Sequence, residues 1–333
     1  PDVFHWLLSG VRSKVRTNAT TSQCFDPRRN EWAFTLLERF GLPRRIFGPV
    51  VEPGTDLGLL RPEVAVDTGL GAVRVVVPGT HDTASAVAAV PAESVDPVPD
   101  WCYVSLGTWA LVGAEVTSPL VTPECMARNF TNEGGIGGTT RLLRNVCGLW
   151  LVQQCRAAWQ RAGTELSWDR LTALAAAAPP LVTLVDPDDA SLASPSDMPD
   201  AIRTLARASG EPVPDSVGAV VRTALESVAA AIARRIGELE GLLGRRIGRI
   251  HVVGGGVRNP SATWWYRSWR VRGMSTCGRS GRSCGPVATC RGTNRGSRPP
   301  GRTGCAVPDG RQPSGRRLML HEAQVDDGHH DER

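Results

Sequence analysis

The most reactive grouping in the sequence is His81-Asp82-Thr83. It follows the β-branched run Gly71-Ala-Val-Arg-Val-Val-Val-Pro78 and opens the small, helix-compatible run Thr83-Ala-Ser-Ala-Val-Ala-Ala-Val90. A buried strand, a polar turn and a helix N-terminus in that order make a place where anions and chemistry gather. A carboxylate at the mouth of a strand, such as Asp82, can be both oriented and desolvated. The same position suits a helix N-cap, since Asp ahead of Thr-Ala-Ser-Ala caps well. His81 reads either as a local hydrogen-bond partner of Asp82 or as a ligand-binding group.

Further polar groups recur downstream. Gly107-Thr108 lies between Cys102–Leu106 and Trp109–Val116, a pattern that predicts a β-hairpin. Its turn offers N–H groups and a hydroxyl to phosphate oxygens, or is a turn and nothing more. Asn145 and Gln153 stand eight apart across an apolar segment. That is about two helical turns, so a continuous helix would point both to one side. Gly254-Gly255-Gly256 follows the predicted strand Ile247–Val253, where glycine permits close backbone approach or simply makes a loop.

These residues need elements to hold them. Trp32, Leu36, Leu37 and Phe40 recur at helical spacing, with Gly41 and Pro43 as the stop, and predict an amphipathic helix. Helices are also expected at about 147–162, 167–178 and 215–244, and residues 91–99 read as a linker. Strands alternating with helices give an α/β class. The 333 residues, 41% of them apolar, leave room for two domains. No run approaches the roughly 20 apolar residues that span a bilayer, so a cytoplasmic protein with no membrane partner is expected. Nine cysteines without a CxxC pair suggest neither a disulfide framework nor a metal site.

Charge divides the chain. The formal net charge is +5, and a surplus of seven positive charges falls from Ser261 onward, leaving −2 before it. Beyond Ser261 neither period 2 nor period 3.6 survives, and four of the nine cysteines and three of the ten tryptophans fall there. Such composition cannot bury enough surface to offset ordering entropy. The region reads as out-of-frame translation in GC-rich DNA, with a natural disordered tail as the alternative. A basic, Trp-bearing tail that binds nucleic acid is a lesser reading, because the arginines are scattered and not laid along one face.

Five blocks in order and spacing carry a resemblance. They are Gly79-Thr-His-Asp-Thr-Ala-Ser-Ala-Val87, Ser105-Leu-Gly-Thr-Trp109, Asn129-Phe-Thr-Asn-Glu-Gly-Gly135, Arg144-Asn-Val-Cys-Gly-Leu-Trp-Leu-Val-Gln153 and Ile250-His-Val-Val-Gly-Gly-Gly-Val-Arg-Asn259. Together they resemble the FGGY carbohydrate kinases, closest to their L-rhamnulose-specific branch, over residues 1 to about 260. The resemblance implies an actin-like, ribonuclease H-like α/β fold. Residues 1–95 would be the later part of the first, sugar-binding domain, 96–260 an incomplete second, ATP-binding domain, and 261–333 a tail outside the family.

By the same resemblance, Asp82 is the catalytic base and His81, Asp82, Thr83 and Asn145 face the sugar. Thr108, Gln153, Gly254, Gly255 and Gly256 face ATP, which enters with Mg²⁺. The implied reaction moves the γ-phosphate of ATP to the C1 hydroxyl of L-rhamnulose in rhamnose breakdown. Another FGGY substrate, such as xylulose, fuculose or glycerol, is the alternative. The family's first glycine turn and most of its sugar pocket have no counterpart in the sequence, so the chain is expected to be inactive by itself.

Overall fold

The computed structural model describes residues 1–92 and 97–255, together with the backbone of Met274–Thr276. The described residues all fall in one unit, Pro1–Gly292. In chain order the first elements are α1 (Asp2–Ser9), β1 (Lys14–Val15), α2 (Arg16–Ala19), β2 (Phe25–Asp26), β3 (Glu31–Trp32) and α3 (Phe34–Arg39). There follow β4 (Val50–Val51), β5 (Asp56–Leu59), α4 (Pro62–Thr68), β6 (Arg74–Val76) and α5 (Asp82–Ala88).

Two expectations for this part are corrected. The predicted helix from about residue 30 begins only at Phe34, because Trp32 is on β3, paired with Phe25. Its indole packs edge-on to Phe25 at 5.6 Å and Phe47 at 5.0 Å and donates to the Gly48 carbonyl at 2.8 Å. Aromatic burial has overridden the helical period, and of the predicted stripe only Trp32 and Leu37 are buried. The strand before His81 is half-buried, not buried. β6 pairs with β5 alone and alternates, with Val75 and Val77 inward and Val76 exposed.

The larger sheet is built from β7 (Trp101–Leu106), β8 (Trp109–Val116), β9 (Thr131–Gly134), β10 (Thr140–Cys147), β11 (Arg249–Val253) and β12 (Met274–Thr276), with the short helix α6 (Pro123–Ala127) between β8 and β9. Its order is β12-β11-β7-β8-β10-β9. The pairs β7–β8, β8–β10 and β10–β9 are antiparallel, while β7–β11 and β11–β12 are parallel. The predicted hairpin is there, with Leu106 opposite Ala110 across the turn. β12 gives one short part of the region set apart at Ser261 a place at the sheet edge. The other expectations for that region, nucleic-acid binding included, lie outside the described residues, as does the centre of the 91–99 linker.

β7, β8 and β10 bury residues on both faces of this sheet. Cys102, Val104, Leu106, Val112, Ala114 and Leu142 meet helices α7 (Trp150–Arg161), α8 (Trp168–Ala177), α9 (Met198–Ala208) and α10 (Val217–Leu243). Trp101, Tyr103 and Leu143 point the other way, under Val87 and Val90 of the α5 segment. α9 was not expected from the sequence, although Asp197 caps it by accepting from Asp200 N at 2.9 Å and Pro199 occupies its first turn.

α10 crosses α8 closely at Gly218, where a Cβ would run into the Leu174 carbonyl. One turn on, the buried Arg222 donates to the carbonyls of Ala175, Ala176 and Ala178 at 3.2, 3.3 and 2.6 Å. It thereby satisfies the C-terminal carbonyls that α8 leaves open. Glu226 accepts from Arg222 Nε at 3.0 Å and from Leu181 N at 2.8 Å. Removing one member of a buried, hydrogen-bonded pair strands the other charge. Arg222→Met should therefore cost about 3–5 kcal/mol in urea unfolding. Arg222→Met with Glu226→Gln should regain part of that loss; no recovery would show that the stranded charge is not the cause.

Candidate functional site

The loop that carries Asp82 is tied down from two sides. Thr80 Oγ1 accepts from Asn18 Nδ2 at 2.5 Å, and His81 N donates to Thr17 Oγ1 at 3.3 Å. At the other side, Ser85 Oγ donates to the Gly79 carbonyl at 2.5 Å, and a Cβ on Gly79 would lie 2.6 Å from Ile136 Cδ1. The capping reading of Asp82 does not hold: His81 is in the N-cap position and Asp82 is the first helical residue. Asp82 Oδ1 accepts from Thr83 N at 2.6 Å and Thr83 Oγ1 at 3.2 Å, with His81 Nδ1 at 3.5 Å. The carboxylate is thus oriented, but with 97% of its side chain exposed it is not desolvated by the described residues. Burial, then the Arg141 cation, hold the His81 imidazole below its ordinary value, against the opposing pull of Glu133 and Asp82.

The hairpin turn is pressed between two other elements. The carbonyl of Gly107 accepts from Leu149 N at 2.9 Å, and that of Thr108 from Gly148 N and Trp150 N at 3.1 Å each. A Cβ on Gly148 would stand 2.7 Å from the Gly107 carbonyl oxygen. On the other flank Gly254 adopts φ 94°, and a Cβ there would stand 2.7 Å from the Leu106 carbonyl oxygen. Only glycine allows such approach without moving backbone.

A cavity opens on each side of the turn. The first, of about 480 Å³, is lined by His81, Asp82, Thr83, Thr108, Asn145 and Gly254 among others. The second, of about 330 Å³, is mostly apolar, with Leu149, Val152, Leu171, Val221 and Leu225 around Gln153, Thr172 and Trp168. Gly107, Thr108 and Gly255 line both. The single helix expected to carry Asn145 and Gln153 is corrected. Asn145 is on β10 opposite Leu111 and Gln153 is on α7, because Gly148 turns the chain against the hairpin. The two residues line different cavities. Gly256 lies outside the described residues.

Sequence reasoning missed the supports. Buried Arg16 donates to Asn30 Oδ1 at 2.8 Å and the Thr139 carbonyl at 3.0 Å, and Thr20 Oγ1 accepts from Gly134 N at 2.7 Å. The block Asn129–Gly135 stood out in the sequence, but nothing in its spacing says that Gly134 is bonded to Thr20. Among the described residues no cluster of three His, Cys, Asp or Glu could hold a metal ion, and no helix is long and apolar enough to cross a membrane.

Comparison with known proteins gives two family matches: the N-terminal domain of the FGGY family of carbohydrate kinases over residues 1–89 and its C-terminal domain over 102–263. The rhamnulokinase of Bacteroides thetaiotaomicron is 41% identical over 259 residues, 78% of this chain and 52% of that protein. That of Bacillus subtilis is 32% identical, with the same coverage of each. The chain therefore spans about half the length of the curated relatives it matches. Among solved structures, a xylulose kinase from Brucella ovis superposes with a TM-score of 0.62 at 19% identity, over 84% of this chain and 55% of that one. A xylulose kinase from Rhodospirillum rubrum gives 0.60 at 18%, over 83% and 54%. Both report the fold, the actin-like arrangement that the sheet order shows. With both domains of one family matched in sequence order and the sheet and cavities arranged as described, this chain belongs to the FGGY family of carbohydrate kinases.

Proposed function

We propose that the two cavities are the sugar and nucleotide sides of one phosphoryl-transfer site, which passes the γ-phosphate of ATP to the C1 hydroxyl of L-rhamnulose. The observation that carries this is the shared turn: Thr108 lines both cavities, with Asp82 on one side and an apolar slot on the other. Phosphoryl transfer depends on alignment and charge stabilisation more than on covalent chemistry. A turn common to both cavities is suited to hold the phosphate that moves between them. The name of the Bacteroides and Bacillus relatives favours rhamnulose as the acceptor.

In this reading Asp82 takes the proton from the attacking hydroxyl, and His81, Thr83 and Asn145 hydrogen-bond the ketose. Thr108, Gly254, Gly255 and Gly256 meet the phosphates and ribose, and Gln153 meets the nucleotide where the apolar slot takes the base. Residues 1–95 supply His81, Asp82 and Thr83 to the sugar side, and 96–260 supply Asn145 to it together with the ATP side. Magnesium enters as the counter-ion of the ATP phosphates. A cytoplasmic setting would supply the ATP that this reaction consumes.

Two measurements test the reading. Because Asp82 is open to water and the chain spans half of its relatives, it should show no rhamnulose-dependent ADP release by itself. Fusion to the unmatched portion of the Bacteroides relative should restore it, with xylulose, fuculose and glycerol roughly 10-fold or more poorer in kcat/KM. Best turnover with one of those three would replace rhamnulose as the substrate. In the same fusion, Asp82→Asn should lower kcat by roughly 10²–10⁴-fold with sugar and ATP affinity nearly unchanged, because the amide keeps the shape but takes no proton. Retained turnover would remove Asp82 from the chemistry.

A further inference from the structure

Asp82 and Thr108 reach the site from different sheets. β6, which leads into the Asp82 loop, pairs with β5 alone, while Thr108 turns between β7 and β8 of the larger sheet. Among the described residues no strand pairing joins the two sheets. Val87 and Val90 pack α5 on Trp101, Tyr103 and Leu143, but apolar contact is not directional. Directional bonds come from residues 16–20.

Arg16 and Thr20 stand four apart at a helical turn and share one side of it, while Thr17 and Asn18 lie round to the other. The first side holds the β9–β10 hairpin: Arg16 Nη1 donates to the Thr139 carbonyl at 3.0 Å, and Thr20 Oγ1 accepts from Gly134 N at 2.7 Å. The other side holds the loop. Asn18 Nδ2 donates to Thr80 Oγ1 at 2.5 Å, and Thr17 Oγ1, fully buried, accepts from His81 N at 3.3 Å. The anchor points on the sheet are braced in turn. Glu115 of β8 accepts from Thr139 Oγ1 at 2.5 Å, and Arg141 of β10 donates to the Gly134 carbonyl at 3.1 Å and to Glu133 Oε2 at 3.0 Å. Since β8 starts at Trp109, next to Thr108, one run of bonded residues leads from the turn to the loop.

We propose that Thr17 and Asn18 are positioning residues for Asp82, and that residues 16–20 are a strut setting the Asp82 loop against the Thr108 turn. The inference rests on the reading of Asp82 as the base. Hydroxyl, base and phosphoryl group must line up for transfer, and a displacement of about 1 Å can cost roughly 10²-fold in rate. Asp82 bonds to Thr83 beside it, so its place relative to Thr108 is the place of its loop. His81 is the N-cap of α5 and Asp82 its first residue, so a hold on the His81 amide fixes where that helix starts.

Hydrogen exchange in the full chain reads the strut without turnover. Thr17→Val should speed exchange of the His81 amide by roughly 10-fold or more, and Thr17→Ser, which keeps the acceptor, should leave it protected. Unmoved exchange in Thr17→Val would overturn the hold on the loop. In the active fusion, Asn18→Ala and Thr80→Val should each lower kcat by roughly 10–10²-fold with KM for sugar and ATP nearly unchanged. The double variant should be no slower than the slower single one, because both remove the same bond. Losses that multiply, or a raised KM with kcat unmoved, would overturn the positioning role; a support of the fold alone predicts lower stability with kcat intact. Should Asn18→Ala not fold, Thr80→Val breaks the bond from its other end and decides by the same split of kcat from KM. Faster exchange in Thr17→Val together with turnover retained in Asp82→Asn would keep the strut and move the base elsewhere, which separates failure of the two readings.

Discussion

Everything at this site depends on how closely the backbone can approach the turn at Gly107-Thr108. Gly148 comes against it from the start of α7, and Gly254 comes against Leu106 beside it from the end of β11. Each contact brings a backbone atom to where a Cβ would otherwise stand. That absence lets three elements meet around one turn and leaves a cavity on either flank. Were the turn set back by a side chain, Thr108 would reach one cavity or the other, and in the proposed reading the two substrates would no longer share a contact. Alignment across such a point is worth more to this chemistry than any single contact within it.

The sheet behind the turn separates its duties by face. One face, small and apolar from Cys102 to Leu142, buries the helices that carry Gln153 and the apolar slot. The other takes Tyr103 across the glycine at 113, where a Cβ would meet the Tyr103 hydroxyl at 2.8 Å and the Leu142 carbonyl at 2.5 Å. The period of two along each strand makes this possible, because neighbouring residues on β10 serve opposite layers. Leu142 belongs to the helical core while Arg141 and Leu143 lie under the Asp82 loop. Charge can therefore be kept beneath the loop without entering the apolar core.

How much of this was legible in the sequence follows the range of the interaction concerned. The hairpin, the long α10 and the strand ending at Gly254 rest on local patterns, and the structure has all three. His81, Asp82, Thr83 and Asn145 line one cavity and Gln153 the other, but Gly254, expected to face ATP, lines the first, and the reason given for Asn145 and Gln153 was wrong. Spacing alone is blind to a strand ending at Cys147 and a helix starting at Trp150. Trp32 went to a strand because Phe25 and Phe47, distant in period, were near in space. Arg16 and Arg141 escaped notice, and the partners of Thr17 and Asn18 went unread, for the same reason: each acts on a partner whose place no local pattern reveals.

The exposure of Asp82 sets the remaining constraint. Its orientation comes from Thr83 and from a loop stitched to Thr17 and Asn18, so the direction of the carboxylate is set by the chain described. Desolvation is another matter, since 97% of the side chain meets water. In the proposed reading, a base in that state would compete with solvent for its proton, and a phosphoryl group at Thr108 would find water as readily as sugar. Orientation and exclusion of water are thus supplied by different surfaces. The stitching at Thr80 and His81 holds the carboxylate ready, and whatever closes over the cavity must bring the dry wall. A closing surface that meets a preset carboxylate has only to exclude water and need not also organise the loop.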